Sequence, residues 1–230
     1  SLHSDGEHHH LQRFGLVTQW GSLAGSMNLN GHAPFPLTAQ IELHSTQSPS
    51  VIHGEISGNF ARMHAQFNTQ QHESNAKIQA EIAPFAAQPV VNLDISANNI
   101  NPAQWVADAP NAHLAMIAHL HGNVQQQLEG AIAIQNNTPA TIDQNGLPFS
   151  EIRTQALVSQ ETIRLHDLRI RNGKQEVVRG SVDWQLDNNT GMAHLMIDKL
   201  NPKIIDKRIQ AAQISGEIEL KGDVYQQTAR

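Results

Sequence analysis

The residues of this chain best suited to chemistry are its histidines. There are 14, with His8, His9 and His10 contiguous and His3 close by. Imidazoles clustered in this way are able to bind Zn²⁺ or Ni²⁺. Residues 1–13 (SLHSDGEHHHLQR) show neither helical nor strand periodicity, however, so the cluster reads as a loose lead with wet, unconstrained rings. His113, His119 and His121 form a second group at strand spacing, opposite Leu114 and Leu120. Polar residues at i and i+2 belong on a solvent face, and no metal is assigned there. Trp20, Trp105 and Trp184 could stack on sugars, but Trp184 has the parity of Val182 and Leu186, as packing residues do. There is no Cys, which excludes disulfides and thiolate chemistry. Nucleophile elbow, Walker loop and His-Glu-x-x-His motifs are all missing, and Asp and Glu are spread over polar strand faces. The expectation is a protein that is not an enzyme, with no catalytic residue, metal or cofactor.

Strands must position these side chains, and the strands repeat. Residues 100–122 read INPAQWVADAPNAHLAMIAHLHG; residues 200–222 read LNPKIIDKRIQAAQISGEIELKG in the same register without a gap. Leu114, Met116, Ala118 and Leu120 fall on Ile214, Gly216, Ile218 and Leu220, so apolar parity is kept where identity is not. Residues 22–31 (SLAGSMNLNG) carry Leu23, Gly25, Met27, Leu29 and Gly31 in matching places. They read as a third copy, in which Phe14 corresponds to Trp105. A repeat on this scale decides the fold before any single residue does. The predicted organisation is a loose lead over 1–13 and a repetitive β segment over 14–230, with unit boundaries near Gly31, Gly122 and Gly222. Its start in mid-pattern reads as a piece of a longer repetitive protein.

Hydrophobic residues make up 39% of the chain and aromatic ones 4%, too few rings for a thick core. The net charge of −6 and the lack of a basic stripe argue against nucleic acid as a partner. No apolar run approaches the ~18 residues of a membrane-spanning helix.

Leu37, Ala39, Ile41 and Leu43 alternate with Thr38, Gln40, Glu42 and His44, which predicts a strand with one face away from water. Similar alternation recurs over 52–60, 61–67, 76–82, 91–97, 128–134, 152–158, 178–186 and 193–197. Parity changes near Asn59 and at His166–Asp167 predict a turn or bulge, and Asn172-Gly173 predicts a tight hairpin. Residues 46–50 read as a turn and 69–75 as a hairpin loop, while Pro84 and Pro89 interrupt pairing. After Asn201, with Pro202 in the first helical position, Ile204, Ile205 and Ile209 predict two helical turns. The insert after Asn101-Pro102 reads as an irregular loop. The chain is therefore all-β, and no amphipathic helix is available to cover its apolar face. Two architectures satisfy this: two sheets closed as a sandwich, or one sheet that curls and leaves an apolar trough open to a ligand.

The succession of alternating strand, Leu-Asn-Pro-type exit, short insert and glycine-marked re-entry resembles the TamB family of AsmA-like envelope proteins. Its carriers are DISANNINPAQW (94–105), NGLPFSEIRTQALV (145–158) and VRGSVDWQL (178–186). The resemblance implies a long, antiparallel-rich sheet curled lengthwise into an open groove (a β-taco) with an apolar interior. It implies a periplasmic part of an envelope-spanning protein, held in the inner membrane by an anchor outside this sequence and partnered by a TamA-type outer-membrane barrel. It also implies phospholipid transport between the membranes, in support of outer-membrane biogenesis. The groove lining so implied is Met63, Phe67, Ile78 and Ile82; Val91, Leu93 and Ile95; Leu114, Met116 and Leu120; Leu128, Ile132 and Ile134; Ile163 and Leu165; Val178, Val182 and Trp184; Leu195 and Ile197; and Ile214, Ile218 and Leu220. The alternatives are a scaffold that offers strand edges to nascent outer-membrane proteins and a closed-core structural or adhesin module.

Overall fold

The computed structural model describes residues 2–18, 21–45, 51–71, 73–104, 108–223 and 227–229; Trp20, Trp105 and the expected turn at 46–50 lie outside them. The fold is all-β, and its described helical segments are three single 3-10 turns. Two compact units meet in sequence at Asn99 and Ile100. The first contains β1 (Leu2–Ser4), β2 (His8–Thr18), β3 (Gly21–Asn30), β4 (Pro36–Ser45), β5 (Val51–Asn59), β6 (Arg62–Gln71), β7 (Ser74–Ile82) and β8 (Val90–Ile100). The second contains β9 (Leu114–Gly122), β10 (Leu128–Asn136), β11 (Glu151–Val158), β12 (Thr162–Asn172), β13 (Gln175–Gln185), β14 (Thr190–Leu200), β15 (Ile214–Asp223) and β16 (Gln227–Ala229). Within each unit every strand pairs antiparallel with the next one in sequence. Most connections are short and dictate antiparallel neighbours, since a parallel neighbour needs a crossover of a dozen or so residues; the longer connections 137–150 and 201–213 also join antiparallel pairs.

The first unit corrects three expectations. Residues 1–13 are not loose, because β1 and the start of β2 lie there, with Leu11 opposite Met27 and His9 opposite Leu29. The register shifts between Leu11 and Phe14, and this irregularity hides the period of two from a sequence reading. Phe14 sits inside β2, so no insert separates it from the strand that would complete the third copy. The hairpin loop expected over 69–75 is shorter, with Gln70 paired to Asn75 and Gln71 to Ser74. Backbone pairing there needs no apolar alternation.

In the second unit the parity change at His166–Asp167 is a bulge. Its register shifts between Leu165 and Leu168 against β13, and between Arg153 and Gln155 on β11. Asp167 takes φ 51°, the left-handed conformation that Asp tolerates better than most. Thr154 donates its hydroxyl to the His166 carbonyl at 2.9 Å, which satisfies an acceptor that the bulge displaces. The turn at Gly173 (φ +59°) joins β12 to β13 as expected.

Asn201 is a cap, accepting from the Lys203 N–H at 3.1 Å, with Pro202 behind it. The two helical turns predicted beyond it do not form; Pro202–Ile204 is a single 3-10 turn. The chain instead crosses to the loop between β10 and β11. There the Ile142 N–H donates to the Ile205 carbonyl at 2.8 Å, and the Lys207 N–H donates to Asp143 Oδ1 at 3.0 Å. The insert 201–213 thus straps one end of the unit, spanning from β14 to the β10–β11 loop.

Burial is shallow. Ala118 and Ala156 are each 1% exposed and Ala65 3%, whereas no large side chain is fully buried among the described residues. Each unit is a single layer with a half-exposed apolar face.

Candidate functional site

The ladder registers of the second unit bring its apolar residues into rows that run across the strands. One row is Leu120, Gly130, Ala156, Leu165, Val182, Ala193 and Leu220, each directly opposite the next. Another is Met116, Ile134, Ile152, Ile170, Val178, Ile197 and Gly216. Gly122, Leu128, Val158, Ile163, Trp184, Gly191 and Gly222 form a third. Between these run Ala118, Ile132 and Thr154, then, past the bulge, Leu168, Gly180, Leu195 and Ile218. Thr154 is the one polar residue among them, and its hydroxyl is spent on His166. Leu114 and Ile214 sit at strand starts, opposite Asn136 and Leu200.

The first unit is built alike. Phe14, Gly25, Ile41, Gly54, Phe67, Ile78 and Ile95 form one row, and Leu11, Met27, Ala39, Ile56, Ala65, Ala80 and Leu93 the next. Met63 is opposite Ile82, which in turn pairs with Val90 where the ladder shifts; Val91 lies beside that shift. Within each unit, the lining residues named from sequence gather on one face. Ile152, Ile170, Leu168 and the leucines and isoleucines of β2 to β5 belong to it too and were missed, although their alternation is legible.

Three glycines in these rows, Gly191, Gly54 and Gly25, are covered by aromatic rings from the paired strand. A Cβ on Gly191 would meet Trp184 Cε3 at 2.3 Å, one on Gly54 would meet Phe67 Cε1 at 2.6 Å, and one on Gly25 would meet Phe14 Cζ at 2.8 Å. Each ring therefore lies along the sheet and extends its apolar surface. This is packing, and it accounts for Trp184.

The opposite face is mostly polar, with Ile117 and Met196 as exposed apolar residues on it. The Arg164 guanidinium meets Asp183 across β12 and β13 at 3.3 Å, and His121 Nε2 is 3.2 Å from Glu129. His113 precedes β9 and its backbone N–H donates to Thr138 Oγ1 at 3.1 Å, so it does not share a strand face with His119 and His121. In β2, His8 approaches Asp5, His9 Nδ1 meets Ser4 Oγ, and the His10 ring meets Asn28 Oδ1. Among the described residues no group of three or more His, Cys, Asp or Glu is placed to hold a metal ion, and no helix is long and apolar enough to cross a membrane.

No family model matches the chain, and neither a curated protein nor a solved structure does.

Proposed function

We propose that the apolar face carries phospholipid acyl chains, which makes this chain a non-enzymatic conduit. The observation that carries the reading is the set of apolar rows in each unit, with no second layer of the same unit over them among the described residues. A closed sandwich would need that layer, and it would need large side chains withdrawn from water. Instead Ile214 is 46% exposed, Leu220 37% and Ile78 36%, a cost that a resident ligand offsets. Each methylene taken from water contributes roughly 0.8 kcal/mol, so a dozen give about 10 kcal/mol before ordering costs. Because the rows continue from strand to strand with the same chemistry, a chain sliding along them meets little change in energy. The sheet would curl lengthwise around this cargo, and the strap between Ile205 and Ile142 supports such curling at one end of the second unit.

The TamB resemblance adds the setting. It would be a periplasmic bridge between inner and outer membrane, supporting outer-membrane biogenesis, with the anchor supplied by another part of the protein and a TamA-type barrel as partner. The test is mass spectrometry of lipid extracted from the natively purified protein. Phospholipid in stoichiometric amount is expected. A lipid-free protein that also fails to take up added phospholipid would overturn the reading and favour a scaffold that works through its strand edges.

A further inference from the structure

Five of the nine arginines in the chain, Arg153, Arg164, Arg169, Arg171 and Arg179, lie on β11, β12 and β13. Three of them form a single row on the polar face, with Arg153 directly opposite Arg169 and Arg169 directly opposite Arg179. At about 4.8 Å per strand the row is about 10 Å long. Like charges in directly opposed positions destabilise a sheet, so the row requires compensation. Carboxylates compensate part of this cluster. Glu151 takes Arg153 at 2.6 Å and Arg171 at 3.2 Å, and Asp183 takes Arg164. Arg169 has no hydrogen-bond or ion-pair partner among the described residues, and Arg179 reaches only the Met196 sulfur, at 3.2 and 3.0 Å.

These two guanidiniums border a concavity of about 710 Å³ on the polar face, where Ser181 and His194 stand across from them. A second hollow adjoins it, lined by Arg153, Arg169, Gln155 and the small Ala131 and Ala133. Asp167, Glu217 and Glu219 line the same concavity. Asp167 faces His166 at 3.4 Å, Glu219 is paired with Lys221, and Glu217 lies two strands from Arg179. Within the arginine cluster, the guanidiniums without a carboxylate partner are therefore those of Arg169 on β12 and Arg179 on β13.

We infer that Arg169 and Arg179 form a binding site for a phosphate group, seated between the two guanidiniums with Ser181 within the same hollow. Guanidinium forks match the tetrahedral oxygens of phosphate and bind them bidentately. The site is independent of the apolar face, which lies on the other side of the sheet. Phosphate could arrive free or on a lipid headgroup, and the chemistry at the site is the same.

The test is titration of the whole chain with inorganic phosphate at constant ionic strength, followed by amide NMR and by thermal melting. Amide shifts are expected at Gln155 and Ser181, with a rise in Tm. In Arg169→Gln and Arg179→Gln the affinity should fall about tenfold or more, since each removes charge-assisted hydrogen bonds, while Arg13→Gln in the first unit changes nothing. A second signature separates binding from mere structure. Without phosphate, Arg169→Gln should melt higher than wild type, because it removes the repulsion. Vesicles of phosphatidylglycerol, compared with phosphatidylcholine, distinguish the source: the same shifts, competed by inorganic phosphate, assign a headgroup, and their absence assigns the free ion. The inference is overturned if phosphate leaves Gln155 and Ser181 unmoved, if the Arg169→Gln variant keeps the phosphate response, or if vesicles bind with no phosphate response at all.

Discussion

The indole of Trp184 lies so close against Gly191 of the neighbouring strand that a Cβ on the glycine would stand 2.3 Å from Cε3 and 2.7 Å from Cζ3. A methyl group there must push the ring off the sheet. Gly191→Ala is therefore expected to cost about 1–3 kcal/mol, the range for overpacking. Gly216, near the other end of the same apolar face, has open space where its Cβ would stand, and Gly216→Ala should stay within about 0.5 kcal/mol of wild type. Paired denaturant melts check both. Equal effects would mean that the ring does not rest on the glycine.

Leu120 and Ile218 both lie on the apolar face of the second unit but differ in burial. Leu120 is 9% exposed opposite Gly130, whereas Ile218 is half-buried beside Leu195. Leu120→Asp strands a charge with little water and is expected to unfold the second unit at a cost of several kcal/mol. Ile218→Asp should leave the domain folded by circular dichroism yet reduce the lipid that co-purifies. Glu217→Ala, on the polar face, should stay within about 0.5 kcal/mol of wild type. Unfolding by Glu217→Ala would invert the assignment of the two faces.

Thr154 is the polar residue that the apolar rows admit, and the bulge explains it. Removing its hydroxyl in Thr154→Val leaves the His166 carbonyl without its 2.9 Å donor, an expected loss of about 1–3 kcal/mol. Thr154→Ser keeps the donor and should recover much of it. Urea midpoints of the two variants provide the comparison, and a Val variant as stable as wild type would remove this role.

The strap at 201–213 is expected to loosen in acid. The Asp143 carboxyl is held below its usual range mainly because it accepts the Lys207 backbone N–H. Hydrogen bonds from the Arg208 side chain hold Asp206 down to about 2. Both pKa values are depressed by folding, so the stabilisation is fully present above the ordinary carboxylate range, near about 4, and is lost as pH falls through the folded values. Hydrogen exchange at the Lys207 amide should accelerate on acidification from about pH 4 towards pH 2, beyond the intrinsic change, while the Leu195 amide stays protected. Asp143→Asn should flatten that response. A pH-independent strap would show that the charge on Asp143 does not hold it.

Much of the fold was legible because a period of two survives in most strands. The alternation of Leu114, Met116, Ala118 and Leu120 is an accurate statement of which face β9 turns to the apolar side. It fails where the backbone leaves the period: the first part of β2, up to Arg13, reads as a loose lead because a register shift separates Leu11 from Phe14. The helix expected after Asn201 was lost to a tertiary contact, since the Ile205 carbonyl accepts from Ile142, 63 positions earlier in the chain. The arginine row was illegible for another reason. Arg153, Arg169 and Arg179 make no basic run in the sequence, and only the ladder register brings them side by side.

The central claim is that lipid lies on one face of this sheet and not on the other, and adjacent residues report on opposite faces. The direct measurement places a photoreactive amino acid at single positions, incubates the purified protein with phospholipid, and scores crosslinked lipid by mass. Ile132, Leu165 and Leu195 should crosslink, while Ala131, Arg164 and His194, each one residue away, should not. Equal labelling of both sets, or of neither, would contradict the account.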